Sequence, residues 1–438
     1  MNIKKGISSL TGAVTLSAAL LLPFSPTAQA VDISMTEKAL SPALYILAED
    51  SDMAMAALKG NAISFTDKDF CRAMNLSKID TVTVTKLPPM TDGELRVGNR
   101  VVSSGQTLSR SELSKLTYTP SGADIRNSSF RFSVNGSPVD MTCRLYHLDE
   151  YNKSPTVSTA GKNFTNVSTH KNVTLYGTLP CIDPEGDETV IEIVSYPETG
   201  SLLLTDKHSG EYTFIPTEGH SGKDEFKYVA RDKYGNYSAA ATVTLTVTKP
   251  RTSTTFTDMT DSRGYNAALT MAEEGIMSGT QVGTATYFYP NKTVSREDFI
   301  VMAMRSIGMR ELTKTDKTVF ADDSDISTKA RDYIGAAYEL GYIKGELTED
   351  GTLCFYPDRT ITRAEAACIL TRMIDAATPT IKPVFSDASD IPAWAAPSIY
   401  SLNYMGILGA TDGNISPMAD LTRADTAMIL SAVMNEKK

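Results

Sequence analysis

The phrase ITRAEAACILTRMI, residues 361–374, is written twice more in this chain, as VSREDFIVMAMRSI from residue 294 and LTRADTAMILSAVM from residue 421. Arginine holds the third position each time: Arg296, Arg363 and Arg423, spaced by 67 and then 60 residues. A two-helix unit of that length cannot bury its apolar faces alone, so three such units must pack on each other.

Each unit opens with Phe-x-Asp, at Phe256/Asp258, Phe320/Asp322 and Phe385/Asp387. A helical stretch follows and ends at Gly275, Gly341 or Gly406. Ala268/Met271, Ile334/Ala337 and Ile399/Leu402 lie seven and four residues earlier, on one helix face. Glycine ends a helix well because it enters the left-handed conformation without a Cβ clash. A loop then reaches apolar-x-Pro at Phe288/Pro290, Phe355/Pro357 and Ile415/Pro417. In the repeated phrase Thr362 and Glu365 make a capping box for the second helix, and Ser295/Asp298 and Thr422/Asp425 are aspartate versions.

The caps do not explain the arginine. A cation in the first helical turn opposes the helix dipole at a cost of ~0.3–1 kcal/mol. Two readings stand: the guanidinium pairs with a nearby structural aspartate or carbonyl, or its planar fork and the helix N-terminal amides face an anionic ligand. The combined pattern resembles the S-layer homology domain, in three tandem copies over residues 256–310, 319–376 and 384–435. The resemblance implies a mainly α-helical triplet, a three-pronged spindle around a central three-helix bundle. Its grooves would bind secondary cell-wall polysaccharide bearing pyruvate ketals. The residues carried over for polysaccharide binding are Arg296, Arg363, Arg423, Asp258, Asp322, Asp387, Gly275, Gly279, Gly341, Gly345, Gly406 and Trp394. Copy 1 reads SRED rather than TRAE, only copy 3 has the tryptophan, and copy 3 has Ala410 where Gly279 and Gly345 stand. The second copy keeps the fullest motif.

Ahead of the triplet the periodicity is that of strands, which predicts all-β sandwich modules over 46–150 and 154–249. ATVTLTVT, near the end of the second, alternates as a half-buried strand does. The two zones echo each other through Gly93-Glu94-Leu95 and Gly200-Ser201-Leu202, and through Tyr118-Thr119-Pro120 and the longer Tyr212-Thr213-Phe214-Ile215-Pro216. The second resembles bacterial Ig-like or cadherin-like surface repeats through DPEGD and the run Asp224, Phe226, Tyr228, Asp232, Gly235, Asn236, Ser238. Its Asp183, Glu185, Asp187 and Asp232 are hard oxygen donors and candidate Ca2+ ligands, with a solvated turn as the other reading.

Residues 1–30 have the layout of a secretory signal: Lys4 and Lys5, an apolar run, then Ala28-Gln29-Ala30. The net charge is -10, and from 251 to 438 there are 18 basic and 25 acidic side chains, which excludes nucleic acid as an expected partner. An acidic module binds an acidic polymer only through local, sheltered arginines. Five cysteines leave at least one without an intrachain partner; Cys71 with Cys143 is a candidate disulfide, and scattered buried thiols are the alternative. Gly219-His220-Ser221-Gly222 fails the hydrolase elbow at Lys223, and none of the four histidines has a clear acid partner. The expectation is a non-catalytic envelope protein without cofactor. It is held at the cell wall or S-layer by its triplet, displays β modules and self-associates if it builds a layer. The alternative is an adhesin or enzyme-accessory protein whose β modules bind the ligand.

Overall fold

The computed structural model describes residues 52–74, 76–157, 161–260, 262–379 and 383–437. The signal segment and the first residues of the first β zone lie outside them. In the first module a five-stranded sheet runs in the order Asp52–Leu58, Met141–Leu148, Asn127–Val134, Thr81–Lys86, Gln106–Ser109. It faces a second sheet of Ile63–Ser64, Leu116–Pro120, Gly93–Val97 and Arg100–Val101. Alternation supplies the core between them: Val82, Val84, Phe130, Phe132, Cys143 and Leu145 all point inward. The second module repeats the plan with four strands (Asn166–His170, Ala241–Thr248, Gly222–Asp232, Thr189–Ser195) and three (Leu175–Thr178, Glu211–Ile215, Ser201–Asp206). In both modules the first strand pairs parallel to the last.

The echo between the modules has a physical basis. Gly93 pairs with Pro120 and has φ +155°; an added Cβ would lie 2.3 Å from the Thr119 carbonyl. Gly200 has φ +121°, and its Cβ would lie 2.6 Å from the Ile215 carbonyl. The strand registers set Leu95 opposite Tyr118 and Leu202 opposite Phe214, so Phe214 rather than Tyr212 is the counterpart of Tyr118. The candidate disulfide is not formed: no disulfide joins cysteines among the described residues.

His147, on the last strand of the first module, is 1% exposed and neither ring nitrogen has a hydrogen-bond partner. Burial pushes its pKa below the ordinary value. The unfolded chain therefore takes up the proton first, so this contribution to stability is complete above about pH 6.5 and is lost as pH falls below it. Thermal unfolding of the chain between pH 8 and pH 5 should show a decline for the first module of up to about 1.4 kcal/mol per pH unit. His147→Phe should flatten that slope.

Among the described residues the triplet has six long helices: α1 (Tyr265–Glu273), α2 (Arg296–Ser306), α3 (Thr328–Glu339), α4 (Arg363–Ile374), α5 (Ala396–Tyr404) and α6 (Arg423–Lys437). The second helix of each repeat packs on the first helix of the next: α2 on α3, α4 on α5, and α6 back on α1. The same cycle is written in the backbone just before each second helix. Val294 N–H donates to the Leu421 carbonyl, Leu421 to Ile361, and Ile361 to Val294, at 3.0, 2.9 and 3.1 Å. All three side chains are buried in one apolar core that spans the repeats. Closing a ring satisfies each unit's apolar face with the next, which no single repeat could do.

The modules are docked rather than strung. Gly235 (φ +92°) lets its turn approach Ala54, where a Cβ would stand 2.0 Å from the Ala54 carbonyl, and Tyr146 meets Tyr234 edge-on at 5.2 Å. Between the second module and the triplet, Asn163 donates to the Met405 carbonyl at 3.1 Å, and Asn435 donates to Asn163 Oδ1 at 3.1 Å and to the Asn166 carbonyl at 3.0 Å. His170 Nδ1 lies 2.7 Å from Asn266 Oδ1, and its Nε2 lies 3.3 Å from a buried Glu273 oxygen.

Candidate functional site

The three arginines stand at equivalent places in the ring, each reaching from one repeat into the next. Arg296 Nε donates to the Phe355 carbonyl at 3.0 Å, Arg363 Nε to Ile415 at 2.7 Å, and Arg423 Nε to Phe288 at 2.7 Å. A terminal nitrogen of Arg363 also reaches the Gly409 carbonyl at 2.6 Å, and one of Arg423 reaches the equivalent Ser278 carbonyl at 2.7 Å. Arg296 and Arg423 further lie over the rings of Phe355 and Phe288, at 5.3 and 4.6 Å. One edge of each fork is thus a staple between repeats, which accounts for a residue that its own helix does not favour. Burial lowers the pKa of all three guanidinium groups. Asp425 and Asp387 oppose this at Arg363, as Asp298 and Asp258 do at Arg423.

The aspartates of Phe-x-Asp are equally committed. Asp258 accepts the N–H groups of Phe288 and Tyr289, Asp322 those of Phe355 and Tyr356, and Asp387 those of Ile415 and Ser416, with bonds of 2.7–2.9 Å in each pair. The clamp holds Tyr289, Tyr356 and Ser416 at φ +56°, +59° and +50°. An aromatic residue there is an outlier, and such strain persists only where surrounding bonds impose it. Tyr289 is 43% exposed and stacks on Tyr287 with centroids 6.0 Å apart. The sequence reading passed over these tyrosines; the Phe-Tyr-Pro spelling in two repeats was the available signal.

The remaining sequence-derived candidates divide. Gly275, Gly341 and Gly406 end their helices at φ +65°, +73° and +68°. Gly279 and Gly345 lie beneath Phe256 and Phe320, where a Cβ would approach to 2.7 and 2.6 Å. Gly406 faces the neighbouring module, with a Cβ site 2.8 Å from the Phe164 ring. Trp394 is 57% exposed beside α4, its carbonyl 3.8 Å from Cys368 Sγ. An open depression of about 630 Å³ lies over the repeat 3 loop, lined by Asp387, Asp390, Thr411, Asn414, Ser416 and Met418.

The carboxylates read as calcium candidates are held in turns of the second module. Asp183 Oδ1 accepts the Glu185 and Asp187 N–H groups, Glu185 pairs with Lys153 at 3.1 Å, and Asp187 pairs with Lys233 at 2.8 Å. Asp232 accepts the N–H groups of Tyr234 and Asn236 and the side-chain amides of Asn152 and Asn236. These carboxylates pin turns, and no group of three or more metal-ligating side chains is assembled among the described residues.

The family model of the S-layer homology domain matches residues 255–300, 319–367 and 384–427, and that of the bacterial Ig domain matches 152–248. The chain carries an S-layer homology triplet behind a bacterial Ig domain. It is similar to the amylopullulanase of Thermoanaerobacterium thermosulfurigenes, 28% identical over 188 residues, covering 42% of this chain and 10% of that protein. It is also similar to an endoglucanase of Bacillus sp. strain KSM-635, 27% identical over 168 residues, covering 37% and 17%. The surface-layer 125 kDa protein of Lysinibacillus sphaericus is 24% identical over 200 residues, covering 44% and 16%. The chain thus spans less than a fifth of the length of each of these three relatives. Its S-layer homology triplet makes it an anchored protein of the bacterial cell-wall surface. No helix among the described residues is long and apolar enough to cross a membrane.

Proposed function

We propose that the triplet holds this chain to the cell wall by non-covalent binding of pyruvate-ketal secondary polysaccharide, and that the protein is non-catalytic and displays its β modules outward. The reading includes a three-pronged spindle about a central three-helix bundle; the closed cycle of α2, α4 and α6 with their neighbours supports it. The observation that carries the binding reading is the state of Arg363 and Arg423. Each spends Nε and one terminal nitrogen on carbonyls, and no carboxylate among the described residues lies within 4.0 Å of its guanidinium. A planar cation with an unused N–H edge suits a carboxylate. Exposed aromatic faces, Trp394 beside α4 and Tyr289 stacked on the half-buried Tyr287, suit the apolar face of a sugar ring.

The chain should co-sediment with purified sacculi and remain in solution when the secondary polymer has first been stripped with hydrofluoric acid. Retention on stripped sacculi would move the binding to peptidoglycan or to the β modules. Release of soluble sugar or peptide fragments from the sacculi would contradict the non-catalytic reading.

A further inference from the structure

Three equivalent arginines invite the expectation of three equivalent grooves, and the side chains around them differ. Resting on the binding reading above, we infer that the groove between repeats 1 and 2 is filled by the protein's own carboxylates, and that anionic sugar is taken only at the Arg363 and Arg423 grooves. Glu365 Oε1 lies 3.4 Å and Glu346 Oε1 lies 3.8 Å from Arg296 Nη1. Arg359 bonds the same two carboxylates, reaching Glu365 at 2.7 Å. Two cations and two anions make a neutral quartet, and the Arg296 side chain within it is 8% exposed. A ligand carboxylate entering here would have to displace Glu365 and Glu346 and leave two anions beside its own charge.

The sibling sites lack this arrangement at each of its three added positions. Glu346 pairs across its hairpin with Cys354, just before the loop phenylalanine. Thr280 holds that place opposite Tyr287, and Thr411 holds it opposite Asn414. At the third position of the second helix Glu365 is replaced by Asp298 and Asp425, one methylene shorter, and neither comes within 4.0 Å of the arginine that faces it. Arg359 is replaced by Lys292 and Ala419. Repeat 2 therefore has the fullest motif by sequence and contributes the loop that closes a groove.

The siblings also supply the test, because their residues show what this fold accepts. Glu346→Thr with Glu365→Asp converts the closed groove to the pattern of the other two, and the aspartate keeps a helix cap of the kind seen at Thr422/Asp425. Retention of the full chain on polymer-bearing sacculi is compared for wild type, the double variant and Glu346→Thr alone, an exposed hairpin change. Opening a third tethered site should slow release at least ~10-fold. Unaltered release from a folded double variant overturns the inference while the anchoring reading stands. Failure of the wild type to bind sacculi removes both.

Discussion

Arg423→Ala should destabilise the triplet by at least about 3 kcal/mol, an effect far larger than an ordinary surface arginine gives. The loss has two sources. The Phe288 and Ser278 carbonyls forfeit charge-assisted bonds of 2.7 Å each, for which ~1.5–3 kcal/mol apiece is usual. The guanidinium also leaves the Phe288 face, worth ~0.5–1 kcal/mol. The break falls where the chain's last repeat closes onto its first, so all three units should loosen in one transition. Arg423→Lys keeps the charge and loses the fork, and should recover less than half of the deficit. Denaturant unfolding of the full chain followed by far-ultraviolet dichroism checks this. A change below 1 kcal/mol for Arg423→Ala would show that the staple does not hold the ring.

Asp322→Ala should cost about 2–4 kcal/mol, and that cost should depend on the residue at a second position. The carboxylate bonds the N–H groups of Phe355 and Tyr356 and so holds a tyrosine at φ +59°. Without it the two donors lose their partner and the loop can relax toward φ below zero. Glycine pays no steric penalty there, so Tyr356→Gly relieves strain of about 1–2 kcal/mol only while Asp322 holds the loop; once Asp322→Ala lets the loop relax, the same change should cost about 0.5–1 kcal/mol. In the wild type it should be close to neutral, because the gain from relieved strain is offset by the extra entropy of an unfolded glycine. A double-mutant cycle on chemical stability measures the coupling, and strict additivity would contradict a strained loop clamped by Asp322.

These effects mark where sequence stopped being sufficient. The capping box at Thr362, the helix-ending glycines and the apolar faces are local signals with fixed spacing, and they were legible. The work of Arg423 was not, because its partners Phe288 and Ser278 lie 135 and 145 residues away and are backbone carbonyls, which carry no residue code. The same holds for Asp258, Asp322 and Asp387, whose carboxylates bind main chain across their own repeats. Tyr289 and Tyr356 were hidden for the opposite reason: propensity argues against an aromatic residue at positive φ, so nothing local announces one. Composition likewise does not show that Lys153 and Lys233 pair with Glu185 and Asp187, two of the carboxylates read as candidate cation ligands. Gly406 fits the family's groove set by motif, and only the docked Ig domain shows Phe164 covering it.

The central claim is that guanidinium groups in the triplet grip a ketal carboxylate. The most direct measurement is the retention of the full chain on two preparations of the same sacculi, one intact and one with its pyruvate ketals removed by mild acid while the polymer chain is kept. The account predicts that removing the carboxylate weakens retention at least ~10-fold, the equivalent of one lost charge-assisted contact. Equal retention on both preparations would contradict it and leave the arginines as staples alone.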